Sequence, residues 1–171
     1  MQKSKIPPCL PGIFLAWAAA SVCLHAQPIV INEIFYDPPG NARTEFVELH
    51  NPTANGIDVS GWQFTKGIEF TFPAGTMIAA GGYAVVSMDP AAFLIHFGSA
   101  SYGPFSGQLS GDGELVALAD AAGVEIDRVE YRAEFPWPIS PTGKGSSMEL
   151  IHPSLDNDLG GSWRGSDPDV T

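Results

Sequence analysis

The segment that holds Asp156, Asn157 and Asp158 carries side-chain oxygens of the kind that bind calcium, and Gly160 follows in the same stretch. Calcium takes carboxylate and carbonyl oxygens from flexible loops. The spacing departs from an EF-hand, because Gly160 stands where the fifth position needs an oxygen and Asp167 stands where the twelfth needs a glutamate. We predict an irregular calcium site on Asp156 and Asp158, with a solvated acidic loop as the alternative interpretation.

Trp137 is the second candidate binding residue, because it lies between Pro136 and Pro138 in an irregular, extended stretch. A tryptophan ring can stack on a sugar, and it can equally fill the core of a sandwich. Two interpretations of Trp137 therefore stay open: an exposed ligand-stacking surface, or a cover for a sheet edge. We predict that Trp62 lies in the core and that Trp163 pins the C-terminal segment to the domain.

The glutamates Glu33, Glu45 and Glu48 are the candidates for acid and base catalysis. Glu45 and Glu48 are three residues apart, a spacing that sends them to opposite faces of a regular strand. A glycosidase needs two carboxyl groups that face each other. The sequence also lacks a serine-hydrolase elbow, a zinc-protease motif and a phosphate-binding loop, and its histidines are not at metal-ligand spacing. We predict that the protein is not an enzyme.

The first 26 residues have the pattern of a secretory signal peptide. Lys3 and Lys5 precede an apolar segment at 11–24, and the small residue Ala26 closes it. The apolar segment is shorter than the roughly 20 residues that cross a bilayer. We predict cleavage after Ala26 and a protein that is secreted or held at the cell surface without a transmembrane anchor.

Cleavage at this point changes both the cysteine content and the charge. Cys9 and Cys23 are the two cysteines of the chain, and both lie in the predicted signal, so the mature protein forms no internal disulfide. Two of the eight basic residues and none of the nineteen acidic ones are removed, so the formal net charge of −11 becomes −13. An acidic protein is a poor partner for nucleic acid, because the phosphates would be repelled.

Short runs with alternating or β-branched apolar residues indicate an all-β fold. The run 68–72, Ile-Glu-Phe-Thr-Phe, alternates strictly between apolar and polar residues. Turn residues such as Asn55-Gly56 and Gly81-Gly82 separate the runs. About eight strands are predicted, at 29–35, 45–51, 62–65, 68–72, 83–88, 114–119, 124–131 and 147–152. Strands at this spacing predict an antiparallel β-sandwich.

Two local irregularities are predicted within this pattern. The apolar residues of 124–131 change phase between Asp127 and Arg128, which predicts a β-bulge. The segment 89–97 predicts one short helix, because Asp89 can cap it and Pro90 suits its first position. We expect this helix to plug one end of the sandwich.

The order of these elements resembles the lamin tail domain family, an immunoglobulin-like sandwich found in nuclear lamins and in many exported bacterial proteins. The resemblance rests on Glu45-Phe46-Val47-Glu48-Leu49, Ser60-Gly61-Trp62, Phe70-Thr71-Phe72-Pro73 and the runs 31–34 and 80–86, and continues more loosely through 113–118 and 124–131. The signal-like N-terminus and the lack of a heptad rod fit the exported bacterial branch.

The resemblance implies an immunoglobulin-like antiparallel β-sandwich at 27–165, followed by a polar tail at 166–171 that could be a linker or a truncation point. It also implies a non-catalytic attachment module without a cofactor, which binds a protein or a cell-surface partner. The alternative is a module that binds polysaccharide through Trp137 or depends on calcium at Asp156 and Asp158. A further alternative is the leading fragment of a larger exported enzyme.

Overall fold

The computed structural model describes residues 28–40, 42–139 and 145–167. The predicted signal peptide at 1–26 and the end of the predicted tail lie outside these residues. Within the described ranges, no helix has the length and apolar character that crossing a membrane requires.

Twelve strands and one α-helix make up the described chain. The strands are β1 (Val30–Phe35), β2 (Phe46–His50), β3 (Ile57–Asp58), β4 (Gln63–Lys66), β5 (Ile68–Thr71), β6 (Met77–Ile78), β7 (Tyr83–Ser87), β8 (Ser106–Gly107), β9 (Gly113–Ala119), β10 (Glu125–Arg132), β11 (Met148–Leu150) and β12 (Trp163–Gly165). The helix α1 is Pro90–Phe97, and short 3-10 turns lie at Ala42–Thr44 and Gly160–Ser162.

The strands form two five-stranded antiparallel sheets with an immunoglobulin-like sandwich architecture, which confirms the predicted fold class. The first sheet has the order β12-β11-β1-β2-β7, and the second has the order β10-β9-β4-β5-β8. A two-stranded ribbon pairs β3 with β6. All eight predicted strands are present. The strands β3, β6, β8 and β12 were not predicted; the first three have only two residues each, too few to show an alternating pattern.

The alternation along β2 explains how the first sheet meets the core. Val47 and Leu49 have no exposed surface and belong to the main hydrophobic cluster, whereas Glu48 and His50 are only partly buried. Successive side chains of a strand point to opposite faces. Glu48 and His50 therefore lie on the outer face of the first sheet.

The bulge of β10 lies earlier in the strand than predicted, just before Asp127. The pairing of β10 with β9 changes register between Glu125 and Asp127, earlier than the predicted position after Asp127. The buried side of β10 consequently begins at Asp127 and continues with Val129 and Tyr131, whereas Val124 is 59% exposed. The pattern of apolar residues does not reveal this position, because the residue that turns inward, Asp127, carries a carboxylate.

The buried carboxylate of Asp127 connects the two sheets. Its Oδ2 accepts a hydrogen bond from the backbone N–H of Ile31 in β1 at 2.6 Å and another from Nδ2 of Asn157 at 2.7 Å. A second bulge follows at this point, because the pairing of β1 with β2 changes register between Ile31 and Glu33. Both Ile31 and Ile34 are thus buried in the core, and Glu33 is paired with Glu48.

The predicted helix is present, with a different role from the one expected. Asp89 caps it by accepting hydrogen bonds from the backbone N–H groups of its first turn, and Gly98 ends it in the left-handed conformation at φ 72°. Phe93 and Phe97 pack against Phe35 and Phe46 in a separate hydrophobic cluster. Phe46 shares the outer face with Glu48 by alternation, so the helix covers part of the first sheet's outer face and does not plug one end of the sandwich.

Two further predictions need correction. Trp62 lies just before β4, after a turn in which Gly61 has φ 73°, and it is only partly buried against the core. Phe64 takes the fully buried position instead. Ser166, predicted to begin the polar tail, is buried and its backbone N–H donates to the carbonyl of Ser147 at 3.0 Å. The domain therefore extends one residue beyond the predicted boundary.

The contacts of Asp127 predict a large cost for Asp127→Ala. This variant leaves the Ile31 N–H and the Asn157 amide without their buried acceptor, and each such loss costs about 1–3 kcal/mol. We expect urea unfolding at pH 7 to show a loss of about 3 kcal/mol. Asp127→Asn keeps an acceptor oxygen and should retain most of the stability. Equal losses in the two variants would contradict the assigned role.

Candidate functional site

The helix leaves part of the first sheet's outer face uncovered. We call the uncovered part the open face and define it by six residues that line it: Asn32, Glu33, Glu48, His50, Tyr83 and Glu149. They come from four neighbouring strands, β7, β2, β1 and β11. The antiparallel register of these strands, rather than any loop, positions the side chains.

A row of carboxylates crosses the open face. Glu33 pairs with Glu48 on one side and with Glu149 on the other, and Glu149 pairs in turn with Arg164 at the sheet edge. Directly opposed residues of an antiparallel pair have Cβ atoms about 5 Å apart, and like charges in such positions are destabilising. The structure therefore concentrates negative charge on three adjacent strands.

Neighbouring polar groups hold each carboxylate of the row. Asn32 Nδ2 donates to Glu48 Oε1 at 2.9 Å, and the Ser147 hydroxyl donates to Glu33 Oε1. Arg164 forms an ion pair with Glu149 at 3.0 Å between Nη2 and Oε2. Glu33 and Glu48 thus have neutral partners, and among the described residues Arg164, at the outer end of the row, is the basic side chain that contacts it.

The environment of the row disfavours the charged carboxylates. Burial raises the pKa of Glu33 to about 7, although the hydrogen bond from Ser147 lowers it. The carboxylates of Glu48 and Glu149 add to the rise. Burial and the charge of Glu149 likewise raise the pKa of Glu48. Near neutral pH the row therefore holds a proton that a cationic group could replace.

An aromatic pair borders the row. The rings of His50 and Tyr83 stack with centroids 4.4 Å apart and an interplanar angle of 12°. Tyr83 is 58% exposed. Burial lowers the pKa of His50, so the imidazole is neutral at pH 7. The pair presents a flat, uncharged ring surface beside the carboxylates.

Two cavities meet at this aromatic pair. The first has a volume of about 340 Å³ and lies over the carboxylate row, with Tyr83 and Ile151 on its margin. The second has a volume of about 460 Å³ and is mainly apolar, with a lining of His50, Pro52, Thr53, Gly81, His152, Pro153 and Ser154. Both are within the range of binding pockets, about 300–1,000 Å³. They share His50 and Pro153 and so form one continuous surface.

Asn51 fixes the loops that border the second cavity. It is fully buried, and its Nδ2 lies within 3.0 Å of the carbonyl oxygens of Asn55, Ile78 and Ala79. Its Oδ1 accepts from the backbone N–H of Thr53 at 3.0 Å. The short segment between β2 and β3 is therefore held against the turn before β7, and the cavity wall is preformed.

Asp156 and Asp158 are placed close together but serve the local backbone. Asp156 Oδ1 accepts from the backbone N–H of Asp158 at 3.0 Å, and Asp158 Oδ1 accepts from that of Glu130 at 2.8 Å. Arg128 approaches Asp158 at 3.9 Å. In the described ranges, no three His, Cys, Asp or Glu side chains converge as a metal site. Calcium binding at this loop stays a prediction, without a third carboxylate ligand among the described residues.

Trp137 is buried, which decides between its two interpretations. Its side chain is 6% exposed and lies in the main core, with its ring centroid 6.2 Å from that of Trp163. Gly160 makes this possible, because a Cβ there would lie 2.8 Å from the Trp137 nitrogen. The ring offers no exposed stacking surface, and the ligand-stacking interpretation is wrong. Trp163 pins the C-terminal segment, as predicted, by donating from Nε1 to the Asn157 carbonyl at 2.8 Å.

Two members of the row, Glu33 and Glu48, were candidates from the sequence, and the third, Glu149, was not. Glu45 is buried beside the backbone N–H of Leu109, away from the open face, as its spacing from Glu48 predicted. Glu33 and Glu48 do face each other, and Glu149 joins them from a strand more than 100 residues away in sequence. The alternation of buried Met148 and Leu150 around Glu149 was the one available signal.

Comparisons with known proteins agree with the fold. The family model of the Lamin Tail Domain matches residues 25–133. A crystal structure of a DUF4876 family protein from Bacteroides thetaiotaomicron VPI-5482 aligns with a TM-score of 0.61 and 12% identity, over 82% of this chain and 71% of that one. At this identity the likeness concerns the fold alone. No curated protein matches the sequence.

The raised pKa of Glu33 predicts how stability depends on pH. Its folded pKa of about 7 exceeds the ordinary 4.5, so the fold favours the protonated acid, and stability falls as pH rises between these values. We expect Glu33→Gln to remove this fall. The free energy of unfolding of the variant, relative to that of the native protein, should therefore rise by on the order of 2 kcal/mol from pH 5 to pH 7.5. Urea unfolding of the two proteins at both pH values measures this change. The control is Glu69→Gln, because Glu69 is an exposed carboxylate of the second sheet. A difference that does not change with pH would contradict the prediction.

Proposed function

The chain belongs to the lamin tail domain family, and on this basis we propose that it is an exported, non-catalytic binding module. It attaches to a protein partner at the cell surface, and the open face is the surface that makes the contact. The observation that carries the proposal is the carboxylate row of Glu33, Glu48 and Glu149 beside the exposed ring of Tyr83.

The energetic cost of the row supports a binding role. Carboxylates that face one another across strands reduce stability, and burial adds to the cost at Glu33 and Glu48. A protein that needed only a stable sheet would gain from neutral residues at these positions. Such local conflicts with stability are typical of functional surfaces, where a partner offsets the cost.

The same contacts argue against catalysis by the row. Glu33 and Glu48 are close enough to resemble the two carboxyl groups of a glycosidase. One oxygen of each, however, is held by Ser147 or Asn32, and both side chains lie on the outer face of a sheet beside an open cavity. A glycosidase pair needs one carboxyl group placed to protonate the glycosidic oxygen and the other placed to attack the sugar or to activate a water, in a cleft that holds the sugar.

Export is supported by the sequence before the domain. The basic residues, the apolar segment and the small residue at position 26 follow the order of a cleaved signal. The family match begins at residue 25, next to the predicted cleavage site.

Charge reversal on the open face tests the proposed function. We expect the protein to co-sediment with envelope preparations of its producing cells, and Glu48→Lys to lower the bound fraction at least tenfold. Glu69→Lys is the matched control, because it makes the same charge change on an exposed position of the second sheet. The bound fraction is measured by immunoblot of pellet and supernatant.

Unchanged co-sedimentation of Glu48→Lys, or an equal loss in Glu69→Lys, would contradict binding through the open face. A hydrolase assay on a panel of cell-surface polysaccharides completes the test. Release of reducing ends that disappears in Glu33→Gln would contradict the non-catalytic assignment.

The exported form has a predicted mass. Cleavage after Ala26 yields a chain that begins at Gln27, and intact-mass spectrometry of the protein from the producing cells should find this species outside the cytoplasm. Recovery of the uncleaved chain from the cytoplasm alone would contradict export.

A further inference from the structure

We infer that the open face binds an extended peptide segment that places an arginine side chain over the carboxylate row and an adjoining proline in the neighbouring apolar cavity. This inference rests on the proposed function and specifies the chemistry of its partner. The occupant is a stretch of another protein, recognised by one cationic and one apolar side chain.

The charge of the row selects the cation. Within the ranges that the structure describes, Arg164 is the basic side chain that contacts the row; it engages Glu149 at the outer end and is itself 67% exposed. Glu33 and Glu48 are left with the neutral donors Ser147 and Asn32. A guanidinium group can donate to two carboxylates at once, and its planar fork matches oxygens held side by side. It would displace the proton that Glu33 holds and pair with both carboxylates.

The aromatic pair favours the same group. A guanidinium group gains additional attraction over the face of an aromatic ring. Tyr83 lies beside the row with more than half of its surface exposed, and the stacked His50 is uncharged, so it does not repel a cation. An anionic ligand would instead meet three carboxylates, and a neutral sugar would leave Glu33 and Glu48 without counter-charges.

The second cavity selects the neighbouring residue. Its lining is mainly apolar and includes Pro52, Gly81 and Pro153. It meets the first cavity at His50 and Pro153, so a ligand that fills both needs its two side chains on adjacent positions. Consecutive residues of a polyproline II chain are about 3.1 Å apart and are related by a third of a turn, so two neighbouring side chains can both contact one surface. Proline favours this conformation, and its rigid ring loses little entropy when it is buried.

Synthetic peptides test the inference with the purified protein. The probe is an acetylated tetrapeptide with arginine followed by proline between glycines, together with the reversed order. Two matched peptides replace arginine by citrulline, which keeps the shape and removes the charge, or proline by alanine. Binding is followed by backbone amide chemical shifts. We expect changes centred on Glu33, Glu48, His50 and Tyr83, and dissociation constants at least tenfold weaker for citrulline and at least threefold weaker for alanine.

Variants separate the chemistry from folding. Glu48→Gln should weaken binding of the arginine peptide at least fivefold, Tyr83→Ala should weaken it at least threefold, and Glu69→Gln should leave it unchanged. Urea midpoints confirm that all three variants are folded. Equal affinity for the arginine and citrulline peptides, or shifts centred away from the open face, would overturn the inference.

The two proposals fail in different ways. If Glu48→Lys loses envelope binding while the arginine peptide has no advantage over its citrulline analogue, the open face is the contact surface but its partner has another chemistry. If Glu48→Lys keeps envelope binding, the proposed function itself is wrong. An arginine preference confined to the open face supports the inference in either case.

Discussion

The hydrogen bond from the Ile31 N–H to the buried carboxylate of Asp127 fixes the relation between the two sheets. It holds β1 where its pairing with β2 changes register, so that Ile31 and Ile34 both enter the core. Without this irregularity, strict alternation would send Glu33 to the same side as Ile31, where an ionised carboxylate would be costly. The bulge therefore places Glu33 outward, beside Glu48, and the position of the carboxylate row depends on it.

The rest of the outer face is arranged around that row. The aromatic cluster between the helix and the sheet, formed by Phe35, Phe46, Phe93 and Phe97, covers one part and leaves the open face to solvent. The Asn51 side chain donates hydrogen bonds to backbone carbonyls of the adjacent loops, and these bonds fix the wall of the apolar cavity. The open face is thus built on a packed sheet and a loop held by the Asn51 side chain, which reduces the ordering cost of binding.

The sequence predicts the parts of this structure that depend on local patterns. The eight predicted strands and the capped helix follow from alternation, from Asp89 and from Pro90, because these signals act within a few residues. The site depends on pairings that local patterns do not specify. Glu149 joins Glu33 through a strand pairing between distant segments, and Trp137 is buried because the backbone of Gly160 approaches it. Asp127 breaks the apolar pattern of β10 because a buried polar residue is recognised by its partners and not by its hydropathy.

The most direct test of this account is the titration of the row itself. The carboxyl carbon shifts of Glu33 and Glu48, followed by NMR from pH 3 to pH 9 in the folded protein, report the protonation of each group. The account predicts a midpoint for Glu33 near 7 and a midpoint for Glu48 above the ordinary value of 4.5. Midpoints at or below 4.5 for both groups would contradict it, because they would show that burial and the neighbouring carboxylates do not destabilise the charged forms.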